Sequence, residues 1–191
     1  MIKDLTEFWE TEFKSFVPEA HNLKHEFSDR WVRFHYLPES KRYPQNEQEY
    51  IEVLRRYNTL LNELLGKNEV FVILPEYSES KTPTKPSSEL TTLFPITKPW
   101  RSVEQHEDDD DYKLYWHLHV SEVNYSGSEL DSLFRLVAHD EASNIIIVNP
   151  NKGVIFHPYD GGADIVLAST RQRDQLKDRH PGWLPSHSEG F

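Results

Sequence analysis

With 191 residues, 37% hydrophobic and 13% aromatic, the chain has enough apolar material for one core but not for two independent ones. It contains no cysteine, which removes disulfides, thiolate metal sites and cysteine nucleophiles, so any metal would rest on His, Asp and Glu. A formal net charge of -11, from 32 acidic against 21 basic side chains, opposes contact with a nucleic-acid backbone and favours a basic protein partner.

No run approaches the roughly 20 apolar residues that span a bilayer. The opening MIKDLTEFWETEF reads as an amphipathic helix and not as an export signal. The expectation is therefore a cytoplasmic protein with no membrane partner. In the first segment Leu5, Phe8, Trp9, Phe13 and Phe16 recur at helical spacing, Asp4 precedes Glu7 by three, and Pro18 ends the stripe. RWVRFHYL alternates, with Val32, Phe34 and Tyr36 on one face and Arg33 and His35 on the other, as a half-buried strand does. The polar loop that follows, with Glu39, Lys41, Arg42 and Tyr43, has the groups to hold an anion, although a charged connection with internal ion pairs is the simpler account.

From Glu47 to Leu65, Tyr50, Val53, Leu54, Tyr57, Leu61 and Leu64 keep to one stripe, with Asn46 as cap over Glu49 and Gly66 at the end. EVFVILPEY has apolar residues on both faces and predicts a strand covered on each side. Residues 76 to 111 are rich in Ser, Thr, Pro and charge and predict a long polar loop or flap, with Asp108 to Asp111 as a solvated acidic run. YKLYWHLHV then reads as a strand, GSELDSLFRLVAHD as a helix capped by Ser128, and NIIIV and GVIFH as a hairpin around NPNKG. ADIVLAS supplies a further adjacent strand, and Ser169 with Gln172 starts a last helix that His180-Pro181 stops. The pattern predicts a single α+β domain over residues 1–191, with a mixed or antiparallel sheet of about six strands and four helices.

Few residues carry chemistry. His117 and His119 stand at i and i+2 of a strand and so share a face, which the alternation marks as polar. With His157 as a third ligand and Asp160 or Asp164 behind, they could form a zinc or other divalent-metal hydrolytic site; polar surface histidines are the simpler account. His157 otherwise reads as the end of a strand stopped by Pro158, and Asp160 as a turn residue bonding backbone N–H groups, with Gly161 and Gly162 free to adopt positive φ. Asp164 has no such simple account: if buried, it must be paired or protonated. No nucleophile elbow, metalloprotease motif or phosphate-cradling glycine loop is present.

The run VIFHPYDGGADIVLAS, followed by a short charged helix and an aromatic near the end, resembles the C-terminal signature of the bacterial domain-of-unknown-function family 3885. That signature falls on Tyr159, Asp160, Gly162, Asp164, Ile165 and Val166, and it marks His157, Tyr159, Asp160 and Asp164 as the candidate functional turn. Where the pattern implies an arginine before the second glycine, this chain has Gly161. The resemblance implies a class and no activity. The resulting expectation is a non-catalytic protein-binding module without a cofactor, an immunity-type antidote to a basic toxin being one form, with Phe94 and Trp100 as interface anchors. The alternative is the metal-dependent hydrolase.

Overall fold

A strand apolar on both faces is stable only between two layers, and the protein is built around one such strand. The computed structural model describes residues 2–13, 16–106 and 113–186. In chain order its elements are α1 (Ile2–Glu12), α2 (Leu23–Glu26), β1 (Trp31–His35), α3 (Glu47–Leu65), β2 (Asn68–Ser78), α4 (Ser88–Leu93), β3 (Lys98–His106), β4 (Lys113–Tyr125), α5 (Asp131–Ala138), β5 (Ile146–Asn149), β6 (Val154–Tyr159), β7 (Gly162–Val166) and α6 (Thr170–Arg179). The strands form one seven-stranded sheet, order β1-β7-β6-β5-β2-β4-β3, in which every neighbouring pair is antiparallel. The α+β class read from the sequence is the one observed.

Each face of the sheet has its own core. Val70, Val72 and Leu74 of β2 join Phe34, Phe156 and Ile165 under α3, α5 and α6, through Tyr57, Leu61, Phe134 and Leu176. Phe71 and Ile73 of the same strand turn the other way, with Ile155 and Val166, against Leu5 and Trp9 of α1 and Leu23 of α2. No helix among the described residues is long and apolar enough to cross a membrane.

Local chemistry sets several boundaries. Asn46 caps α3 by accepting the Glu49 N–H at 3.1 Å, and Gly66 ends it at φ +61°, where a side chain is disfavoured. Ser169 caps α6 in the same way over Gln172, at 3.3 Å. By contrast Ser128 does not cap α5: the helix starts after Leu130, and the Glu129 carboxylate instead accepts the N–H groups of Ser126 and Gly127 at 2.8 and 2.9 Å.

The largest correction concerns residues 76–111, expected to be one loop or flap. They hold the end of β2, the helix α4 and the edge strand β3. Pro99 is tolerated because β3 pairs on one side only, and the register shifts by one residue between Pro99 and Arg101. The expected acidic run Asp108 to Asp111 lies outside the described residues.

Replacing Asn46 with Ala removes the side-chain acceptor of the Glu49 N–H and leaves only its backbone contact with the Asn46 carbonyl, and is expected to lower stability by about 1 kcal/mol in urea unfolding, with an unchanged denaturant slope.

Candidate functional site

Residues opposite each other in an antiparallel pair point to the same face, so pairing alone brings three polar side chains together. His157 stands opposite Asp164 across β6 and β7, and Asp164 opposite Arg33 across β7 and β1. The row lies on the α1–α2 side, since Ile155 and Val166 belong to that core. Asp164 is 3% exposed. Its carboxylate accepts Arg33 Nε on Oδ1 at 2.7 Å and Nη2 on Oδ2 at 2.8 Å, a bidentate pair spanning 131 residues of chain. The guanidinium carbon also lies 5.5 Å from the Trp31 ring and 4.8 Å from the Tyr159 ring, on whose faces a cation is attracted. Burial pulls the Arg33 pKa down, but the hydrogen bond and charge of Asp164 outweigh it and leave the group more firmly protonated.

His157 was expected to end its strand. Instead β6 runs on through Pro158, which pairs with Ala163, while β5 on the other side reaches only to Phe156 and leaves the missing N–H without consequence. His157 is buried and its Nδ1–H donates to the Ile145 carbonyl at 2.8 Å. Burial lowers its pKa, with the Asp164 charge acting in opposition. The imidazole is thus held neutral in the sheet.

The turn after β6 is fixed from outside. Arg42 grips the Asp160 carboxylate through Nε at 2.7 Å and Nη2 at 3.0 Å, and the Tyr43 hydroxyl donates to it at 2.8 Å. This corrects the expectation that Asp160 bonds backbone N–H groups, and it identifies the anion met by the 38–45 loop as a side chain of the protein itself. The Tyr36 hydroxyl lies 2.6 Å from the Asp160 carbonyl, and the Tyr57 hydroxyl 2.7 Å from that of Gly162. Neither Gly161 nor Gly162 adopts positive φ. Gly162 is needed for space: a Cβ there would lie 1.9 Å from the Phe34 carbonyl oxygen, and so β1 could not approach.

His35 shares this face of β1. Neither of its ring nitrogens makes a well-formed hydrogen bond, and the Trp31 indole N–H is likewise buried without an acceptor. Burial lowers the His35 pKa, and so the ring stays neutral.

The three candidate metal ligands are not brought together. His117 and His119 stand opposite Glu76 and Leu74 of β2, on the face covered by α3 and α5, whereas His157 faces α1 and α2. Side chains on opposite faces of a sheet cannot share one ion with bonds of roughly 2.1 Å. Among the described residues no group of three or more His, Asp or Glu is placed to hold a metal. Nor is the face of β4 with His117 and His119 wet, as its alternation implied, because residues 78–97 cross it. His117 is fully buried, with Nδ1 2.9 Å from Ser102 Oγ and Nε2 2.9 Å from both Ser78 Oγ and the Ser80 carbonyl. The interface anchors also turn inward. Phe94 is 6% exposed in the core, and Trp100 donates to Thr6 Oγ1 at 2.9 Å with its ring 5.7 Å from Trp9.

The family model for the domain of unknown function DUF3885 matches residues 20–188. The chain belongs to that family. No curated protein and no solved structure matches it. In this DUF3885 chain the signature residues Tyr159, Asp160, Gly162 and Asp164 each meet a structural need: a ring for Arg33, a carboxylate for Arg42, space for Phe34, and a buried counter-charge for Arg33. Two arginines from β1 and the loop after it reach the two aspartates, while position 161 carries a glycine. Sequence reading placed Arg33 on the right face but had no signal for its partner, since the pairing depends on which strand lies beside β1.

Three outcomes follow from this geometry. Arg33→Leu leaves a buried carboxylate unpaired and is expected to cost about 3–5 kcal/mol, whereas the Arg33→Leu/Asp164→Leu double variant recovers much of that loss. Gly162→Ala is expected to abolish β1 pairing or the folded state, read by circular dichroism and thermal melting. His35, His119 and His157 all have pKa values lowered by burial, so the unfolded chain binds more protons below its own value of about 6.5. Stability should be fully present above that pH and fall as the pH drops below it, and His35→Phe should flatten the decline in urea midpoints measured from pH 7.5 to 5, taken as a rough working range.

Proposed function

We propose that this protein is a non-catalytic protein-binding module of the bacterial cytoplasm that takes a basic partner, in the manner of an immunity-type antidote. The observation that carries the reading is the condition of its reactive side chains. Asp160 and Asp164 are bound by arginines, His117 is held by two serines and a carbonyl, and His157 is tied to Ile145, so none of these four is poised as a base or nucleophile.

Charge supplies the recognition. Residues 1–29 hold seven carboxylates against three lysines. Over the α1–α2 layer Asp4, Glu7, Glu10 and Glu12 are exposed while Leu5, Trp9 and Phe13 are buried beneath them. A surface of net negative charge, even with Lys3 beside the carboxylates and Arg101 on Glu10, attracts a basic partner over a distance and releases it as salt screens the field.

Co-expression with the basic product of an adjacent toxin-like gene tests the reading. The expected result is protection of the host and a complex that weakens as salt rises from about 0.05 to 0.5 M. A Glu7→Lys/Glu12→Lys variant should bind about tenfold less tightly, mainly through a slower association rate. Neither complex nor protection would overturn the proposal.

A further inference from the structure

On the face of the sheet away from α1, the C-terminal half of α3, the turn between β5 and β6, and α6 enclose a notch of about 180 Å³. Its floor is apolar, made by Leu64, Val154 and Leu167. Its rim is rich in donors. Gln172, Gln175 and Arg179 sit three and four residues apart along α6 and so form one stripe toward the notch, and Lys152 reaches it from the turn. Among the described residues Glu63 is the single carboxylate lining it, and that charge is already met by Arg179 Nε at 2.8 Å and His180 Nε2 at 2.7 Å. Lys152, Gln172 and Gln175 are exposed at the rim, with their donors open to solvent.

We propose that this notch binds a small organic anion, with an oxyanion group held by Lys152, Gln172 and Gln175 and a short apolar stem resting on Leu64, Val154 and Leu167. The lining carries Lys152 and Arg179 against Glu63 alone, so an anion entering it meets a net positive site on a protein whose overall charge is -11. Two amides on one helix stripe can donate to separate oxygens of one carboxylate or phosphoryl group, and the ammonium strengthens both contacts through its charge. The volume admits a ligand of a few carbons and excludes a nucleotide-sized one. The notch shares no residue with the acidic helix layer, so its occupancy stands or falls independently of the basic partner.

Titration of the full chain by ¹⁵N-edited NMR with butyrate, and separately with inorganic phosphate, tests the site. The expected result is saturable shifts of the Gln172 and Gln175 side-chain amides, with butyrate binding more tightly if the apolar floor contributes. Equal affinity for phosphate would assign the site to the oxyanion alone and overturn the role of the stem. Lys152→Ala, an exposed change that leaves the fold intact, should weaken binding about tenfold, as expected for loss of one charge-assisted hydrogen bond. Linear, unsaturated shifts, or affinity unchanged in both Lys152→Ala and Gln175→Ala, would overturn the proposal.

Discussion

A carboxylate inside a protein must find a cation or give up its charge, and in this fold that requirement falls on Asp164. Arg33 meets it from the neighbouring strand, in bidentate contact, with Trp31 and Tyr159 rings on the guanidinium. A buried ion pair of this kind adds little net stability compared with apolar residues of the same volume, because both charges leave water. What it supplies is specificity. A slip of one residue between β1 and β7 would turn Asp164 away from Arg33 and bury each charge alone.

The same constraint accounts for the neighbouring signature residues. β1 comes so close to β7 that position 162 admits no side chain. The chain then leaves β1 through a loop whose residues Glu39 and Ser40 both adopt positive φ, a conformation costly for non-glycine residues. Arg42 and Tyr43, bound to Asp160, and Lys41, bound to Glu49 at 2.6 Å, hold that loop in place. A motif that looks like the rim of an active site is therefore a lock between an edge strand, its exit loop and a hairpin turn. Both of its aspartates are paired with arginines, Asp164 with Arg33 and Asp160 with Arg42.

Most local signals were legible, Ser128 being an exception because α5 starts only after Leu130. Asn46 and Gly66 bracket α3, NPNKG makes the β5–β6 turn, and Ser169 starts α6, because capping and turn formation need only nearby residues. Non-local ones were not. The strand β3 hides in a Pro- and Thr-rich stretch because an edge position tolerates Pro99. His117 and His119 alternate with apolar residues as if solvated, yet both are buried, and Ser78 and Ser80 supply partners for His117. The sharing of a face by His157, Asp164 and Arg33 depends on strand order, which periodicity does not encode.

The signature aspartate Asp164 positions β1 through its bidentate pair with Arg33. Backbone hydrogen exchange of an Asp164→Asn variant, which keeps shape but removes the charge, tests it most directly. The account predicts loss of protection concentrated in residues 31–35 and 162–166, with β2 and β4 retaining theirs. Unchanged protection across β1 and β7 would contradict it.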